Sequence, residues 1–238
     1  MVARVGVYLY VMVSLLMPLN MSHAQDFMAR LRERMVETQL ERRGIKNPAV
    51  LSAMRKVERH LFVPASYVSR AYNDYPLPIG EGQTISQPYI VALMTEVLNL
   101  KRSDKVLEVG TGSGYQAAIL GELCDQVFTI EIVDVLGKRS ARLLKDLGYD
   151  HVHTMIGDGY KGWPVYAPFD AIIVTCSPTQ IPLALQEQLA EGGRMVIPVG
   201  DREAQELVLL TKRDGELRQD HIVSVRFVPM VDSTGTIY

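Results

Sequence analysis

This 238-residue sequence contains little cysteine and no large excess of either charge. The two cysteines, Cys124 and Cys176, form no CxxC pair and lie in no Cys/His cluster, which excludes a disulfide framework and a structural zinc site. We expect no metal ion. Because 25 Lys and Arg residues stand against 27 Asp and Glu residues, there is no basic excess, and nucleic acid is not an expected partner. Hydrophobic residues still make up 47% of the chain, which excludes intrinsic disorder.

A long apolar run occurs at the amino terminus. Arg4 precedes apolar residues 5–19, and the small residue Ala24 follows them, which is typical of a secretory signal peptide. The run is shorter than the roughly 20 residues that a membrane-spanning helix needs, so no stable membrane association of the mature domain is expected. Residues 1–24 are predicted to be a signal peptide or a misassigned N-terminal extension, with Met28 as the alternative start.

Two helices and an irregular segment are predicted next. Apolar residues recur at helical spacing over 27–43, and a second helix is predicted from Pro48 to about Glu58. Residues 72–88 hold three prolines and two glycines, which excludes a regular helix or a central strand. Their apolar content argues against disorder, so an ordered loop that lies over something is expected.

From residue 89 onward, predicted helices and strands alternate. This alternation predicts right-handed βαβ units and an α/β fold with a doubly wound, Rossmann-like parallel sheet. A turn signal at 213–216 predicts that the sheet ends with an antiparallel strand. We expect a single domain over 25–238, with the first helices as an N-terminal addition. The predicted helices are 89–98, 115–123, 133–147 and 181–189, and the predicted strands are 105–109, 126–130, 151–156, 169–174, 194–199, 206–212 and 221–228.

A glycine-rich loop follows the first predicted strand of this sheet. Gly110, Gly112 and Gly114 let the backbone turn sharply and let a ligand approach it closely. The dinucleotide-binding fingerprint would place a further glycine where Tyr115 stands, so a pyrophosphate is disfavoured. A nucleoside with a charged, phosphate-free tail fits better, and S-adenosylmethionine is such a molecule. Glu108, in the preceding strand, would repel a phosphate but attract the methionine ammonium and sulfonium groups.

Acidic residues also follow the next two predicted strands. Glu131 ends the second strand, where a carboxylate can accept hydrogen bonds from both ribose hydroxyls of a nucleoside. Asp158, next to Gly159, follows the third strand and could accept the adenine amino group. Because the carboxyl ends of parallel strands meet at one edge of a sheet, the acids are expected to converge on one ligand crevice.

Several segments resemble one family, the protein-L-isoaspartate (D-aspartate) O-methyltransferases. The likeness covers about 28–231, and Gly-Gln-Thr-Ile-Ser-Gln-Pro at 82–88 is its most specific motif. Tyr89 and Val91 replace the histidines that follow this motif in eukaryotic-type members, so the likeness is to the bacterial branch. The other matching segments are 75–80, 106–114, 157–159, 168–174, 189–193 and 228–229.

The resemblance implies an S-adenosylmethionine-dependent enzyme of protein repair. Such an enzyme methylates the free carboxylate of L-isoaspartyl and D-aspartyl residues in age-damaged proteins and peptides, and the ester collapses to a succinimide. Ser86 is implied as the active-site residue, and Thr84, Ile85 and Gln87 are implied to line the carboxylate pocket. The family's cofactor contacts match Glu131, Asp158 and Gly159.

The chemistry needs little acid–base help from the protein. A carboxylate is already ionised at pH 7, so methyl transfer requires in-line placement and exclusion of water rather than a strong base. Ser86 is therefore expected to position the substrate, since it lies in no nucleophile elbow. Two alternatives are a nicotinamide oxidoreductase, which Tyr115 and Glu108 disfavour, and a noncatalytic protein-binding module.

Two observations predict different compartments. S-adenosylmethionine is made in the cytoplasm, whereas residues 1–24 look like an export signal. We expect a cytoplasmic protein, with the periplasm as the alternative.

Overall fold

The computed structural model describes residues 25–201 and 203–236. The signal peptide or extension predicted for 1–24 lies outside these ranges. Within them, every helix is too short or too polar to cross a lipid bilayer.

In the described ranges the strands form two sheets. A two-stranded antiparallel hairpin stands apart from a seven-stranded sheet of order β5-β4-β3-β6-β7-β8-β9. The strands β3 to β7 run parallel, and β8 and β9 add antiparallel pairs at one end. The bounds are β1 Leu77–Gly80, β2 Gln83–Ile85, β3 Lys105–Val109, β4 Gln126–Glu131, β5 Val152–Ile156, β6 Phe169–Val174, β7 Leu189–Gly200, β8 Gln205–Arg213 and β9 Glu216–Val225.

Helices cover the sheet and precede it. Asn47 caps the second helix, because its side chain accepts hydrogen bonds from the backbone N–H groups of Ala49 and Val50. The helices are α1, residues 25–35, α2 Pro48–Lys56, α3 Pro88–Leu98, α4 Tyr115–Leu123, α5 Asp134–Asp146 and α6 Leu183–Gln188.

The central strands are buried on both faces. In β3, Val106 belongs to the hydrophobic cluster on one side of the sheet, and Leu107 belongs to the cluster on the other. This follows from the two-residue repeat of a strand. The chain leaves β3 for β4 in one direction and later returns to β6 on the other side of β3, so β3 marks the topological switch point. The predicted doubly wound fold with an antiparallel end is confirmed.

The first helix differs from its prediction. A continuous helix was expected over 27–43, but the α-helix gives way to a π-turn at Val36–Leu40 and a 3₁₀ turn at Glu41–Arg43. Val36 and Leu40 are both fully buried in the core. Gly44 then ends the segment in the left-handed conformation, at φ 98°.

The segment 72–88 was only partly predicted. It contains the β1–β2 hairpin, in which Leu77 pairs with Ile85 and Pro78 with Thr84, so the expectation of an irregular segment throughout was wrong. Pro78 is tolerated because it lies outside the central sheet, in a two-stranded hairpin. The segment is ordered and covers the glycine loop, as expected, since a Cβ built on Gly112 would lie 3.5 Å from Ile79 Cδ1.

Several element boundaries in the carboxyl-terminal part of the chain differ from their predictions. The strand predicted at 194–199 extends to Leu189–Gly200, and the strand predicted at 221–228 is Glu216–Val225. Residues after Val225 leave the sheet because the Gln205 side chain, rather than a neighbouring strand, bonds to the backbone of Phe227. The helix predicted at 181–189 is shorter, since it begins only after Pro182.

Candidate active site

The glycine loop forms the floor of a crevice at the switch point. Gly110, Gly112 and Gly114 have φ values of 99°, 52° and 87°, a region that L side chains rarely adopt. A Cβ on Gly110 would collide with Thr175 Oγ1, which donates a 2.6 Å hydrogen bond to the Gly110 carbonyl. We call this the switch-point crevice; it is lined by Val109, Gly110, Gly112, Glu131, Gly159 and Thr175, among others.

Glu131 lines this crevice and binds the glycine loop. It ends β4 and is 6% exposed. One carboxylate oxygen accepts the Gly112 N–H at 2.7 Å, and the other accepts the Val133 N–H at 2.9 Å. Each carboxylate oxygen can accept a second hydrogen bond, so Glu131 can hold the loop and still bind two hydroxyl groups.

Glu108 lies in β3 and is fully buried. Its Oε2 accepts a 2.5 Å hydrogen bond from Thr129 Oγ1, whereas its Oε1 has no partner. Burial raises the pKa of Glu108 to about 8, with the nearby Glu131 charge acting in the same direction. The side chain lines a recess that we call the Glu108 recess, together with Ser86, Gly112, Tyr115 and Gln116. A cationic group placed there would lower this pKa and favour the ionised carboxylate, whose free oxygen could then accept its hydrogen bond.

The third predicted acid has a different environment. Asp158 Oδ1 accepts the Tyr160 N–H at 3.0 Å and caps a short 3₁₀ turn. Gly159 lines the switch-point crevice, whereas Asp158 does not. A Cβ on Gly159 would collide with Val109 Cγ1, so the chain needs glycine to pass this close to the strand end.

The hairpin contributes the other wall. Thr84 lines both the switch-point crevice and a second cavity of about 830 Å³, which Ser86 and Gln87 also line; we call it the wide cleft. The hydroxyl groups of Thr84 and Ser86 have no hydrogen-bond partner among the described residues and are free to donate. Ile85 is buried, and Gln87 Nε2 donates to the Asp74 carbonyl at 3.0 Å, which fixes the end of the hairpin segment.

Several residues that line these cavities were not predicted from the sequence. Thr175 and Cys176 directly follow β6, and Pro229 and Met230 follow β9. The position of Thr175 could have been found, because β6 is the strand on the other side of the switch point. The contribution of Met230 depends on tertiary structure, since Ser177 holds this segment through the hydrogen bond from Met230 N to the Ser177 carbonyl.

The space at the switch point is narrow. The switch-point crevice encloses about 60 Å³ and the Glu108 recess about 40 Å³. Pockets for ligands of nucleoside size usually enclose roughly 300 Å³ or more. The hairpin lies over this space and is held by a 2.7 Å hydrogen bond from Arg139 Nη2 to the Ile79 carbonyl. Outward movement of the hairpin would widen this space, and the wide cleft adjoins it at Thr84 and Thr175.

A family model matches most of the chain. The model of the protein-L-isoaspartate (D-aspartate) O-methyltransferase family matches residues 30–235. The chain belongs to this family. The protein-L-isoaspartate O-methyltransferase of Opitutus terrae is 55% identical over 221 residues, which are 92% of this chain and 95% of the relative. A second relative of the same name, from Syntrophobacter fumaroxidans, is 54% identical over 206 residues, 87% of this chain and 96% of the relative.

Solved structures of this family are also similar. A protein-L-isoaspartate O-methyltransferase structure superposes with a TM-score of 0.79 at 30% identity, covering 86% of this chain and 67% of the other. A beta-aspartate methyltransferase from Plasmodium falciparum, in complex with S-adenosyl-L-homocysteine, gives 0.74 at 28% identity, covering 84% and 97%. The family predicted from the sequence motifs is confirmed.

Proposed function

We propose that this chain transfers a methyl group from S-adenosylmethionine to the free carboxylate of L-isoaspartyl and D-aspartyl residues in damaged proteins, and so starts their repair through a succinimide. The observation that carries the proposal is the position of Thr84, which lines both the switch-point crevice and the wide cleft. A cofactor in the crevice and a peptide in the cleft would meet at this residue.

The residues of the crevice fit S-adenosylmethionine. Glu131 has the capacity to accept both ribose hydroxyls, and the unpartnered Glu108 Oε1 suits the methionine ammonium group. Gly110 and Gly112 line the crevice, so a ligand can approach the loop backbone there, whereas Gly114 makes room for Ser140 and Leu144 of α5. We assign Asp158 and Gly159 to the adenine end, and the bound cofactor supplies an electrophilic methyl group.

The hairpin would hold the substrate carboxylate. Thr84 and Ser86 carry free hydroxyls that can donate hydrogen bonds to an anion without adding a positive charge that would lower its nucleophilicity. Ile85 and Gln87 shape the same segment of the pocket. No residue needs to remove a proton, because the carboxylate is ionised at neutral pH. Ser86 therefore acts by placing the carboxylate oxygen in line with the methyl group.

The proposal extends to the organisation of the protein. Residues 25–238 act as one methyltransferase domain, with α1 and α2 as an N-terminal addition. Its partners are damaged proteins and peptides rather than nucleic acid. The cytoplasm is the proposed compartment because the cofactor is made there, and the periplasm is the alternative that residues 1–24 suggest.

Matched peptides test the proposal. One peptide contains isoaspartyl-glycine, a second contains D-aspartyl-glycine, and a third contains normal aspartyl-glycine in the same sequence. We expect methyl incorporation into the first two and about a hundredfold slower incorporation into the third, because its carboxylate is displaced by one methylene group. Ser86→Ala should lower turnover far more than affinity for S-adenosylhomocysteine. Equal methylation of the isoaspartyl and the normal aspartyl peptides would contradict the assignment.

A further inference from the structure

Among the described residues, one charged side chain lies in the wall of the wide cleft. Its polar lining residues include Thr84, Ser86 and Gln87, which are uncharged, and the only ionisable side chain that lines it among the described residues is Arg226. The whole chain has no basic excess, since its formal charge is −2.

Arg226 is free to act on a ligand. It is exposed, and its side chain forms no hydrogen bond, ion pair or ring contact with any described residue. Glu206 is bonded to Ser224 Oγ at 2.8 Å, and its carboxylate does not line the cleft. The Arg226 charge therefore lines the cleft without a neutralising partner among the described residues.

The backbone that carries Arg226 is fixed in place. The buried Gln205 side chain accepts the Phe227 N–H at 2.6 Å and donates to the Phe227 carbonyl at 3.2 Å. Ser177 N donates to the Val228 carbonyl at 2.9 Å. These bonds fix the backbone of Phe227 and Val228, the two residues that follow Arg226, and both of them also line the cleft.

We propose that Arg226 is a specificity-determining residue that makes the enzyme favour damaged sites flanked by acidic residues over those flanked by basic residues. This inference rests on the proposed function, in which the wide cleft holds the peptide around the isoaspartyl residue. An unpaired cation in that cleft attracts acidic flanking side chains and repels lysine or arginine. Because the pair would be solvent-exposed, the effect is modest and depends on salt.

Three isoaspartyl peptides that differ at one flanking position, Asp, Asn or Lys, test this inference. The readout is the ratio of kcat/KM for the Asp peptide to that for the Lys peptide, so that an overall loss of activity in a variant cancels. The wild type should favour the Asp peptide about two- to fivefold at low salt. The ratio should approach one in Arg226→Gln and fall below one in Arg226→Glu. Added salt should lower the wild-type ratio.

Arg213→Gln is the matched control. Arg213 is an exposed, unpaired arginine at the end of β8 that does not line the wide cleft, so this variant should keep the wild-type ratio. A wild-type ratio near one, or a ratio that survives Arg226→Gln, would overturn the inference. The Asn peptide distinguishes failure of this inference from failure of the proposed function. A protein that does not methylate the Asn peptide lacks the proposed activity, whatever its preference for flanking charge.

Discussion

At the scale of single residues, the two buried acids beside the glycine loop have different environments. Glu131 is satisfied by two backbone N–H groups, and its charge stabilises the loop that it lines. Glu108 is bonded through only one oxygen and has a pKa raised to about 8 by burial. A buried carboxylate oxygen without a hydrogen-bond partner destabilises the ligand-free protein. A bound cation would supply that partner, so part of the cost is recovered on binding.

Glu131→Gln should weaken cofactor binding. The amide keeps the size of the side chain but loses the charge and places an NH₂ group opposite a backbone N–H or a ribose hydroxyl. Hydrogen bonds to charged groups contribute about 1.5–3 kcal/mol, so calorimetric affinity for S-adenosylhomocysteine should fall at least about tenfold. Asp146→Asn, at the carboxyl end of α5, is the control and should bind S-adenosylhomocysteine normally. An unchanged affinity in Glu131→Gln would move the nucleoside site elsewhere.

Glu108 should make stability depend on pH. The folded protein keeps the Glu108 proton up to a pKa of about 8, whereas the unfolded chain releases it near 4.5. Raising the pH from 5 to 8 should therefore destabilise the wild type relative to Glu108→Gln by up to about 4 kcal/mol, since each pKa unit corresponds to about 1.4 kcal/mol. Urea unfolding of both proteins across this range measures the difference. A constant difference between them would show that Glu108 is ionised in the fold at pH 5.

At the scale of elements, the β1–β2 hairpin lies between the switch-point crevice and the wide cleft. Its strand β2 supplies Thr84, and Ile79 of β1 lies over Gly112. The specific motif at 82–88 indicated the family, but not that the segment forms a hairpin, because the two prolines before it are unfavourable in most strands. The hydrogen bond from Arg139 to Ile79 joins residues far apart in sequence, and no local pattern predicts it.

Removal of that hydrogen bond should let the hairpin open more often. In Arg139→Gln, association of S-adenosylhomocysteine should become about tenfold faster, because a hydrogen bond from a charged donor contributes about 1.5 kcal/mol. Dissociation should also become faster, since the hairpin closes less firmly over the ligand. Arg142→Gln changes an exposed arginine of the same helix and serves as control in surface plasmon resonance. An association rate that Arg139→Gln leaves unchanged would mean that entry does not require hairpin movement.

At the scale of the whole molecule, the fold was the part most accessible from sequence. The apolar strands and the glycine loop sufficed to predict the doubly wound sheet, because such strands alternate with amphipathic helices and are buried on both faces. The sequence could not show that the chain after β9 returns to the switch point. That placement depends on two contacts between residues more than 20 positions apart. The Gln205 side chain bonds to the backbone of Phe227, and the Ser177 backbone bonds to the residues that follow Phe227.

A complete repair cycle on one peptide would show directly whether this chain repairs isoaspartyl damage. An isoaspartyl peptide is incubated with the wild-type chain and S-adenosylmethionine, and the products are separated by chromatography and identified by mass spectrometry. We expect a methyl ester, then a succinimide, then accumulation of the normal aspartyl peptide, with little product from Ser86→Ala. A stable methyl group on another residue, or methylation of the normal aspartyl peptide at the same rate, would contradict it.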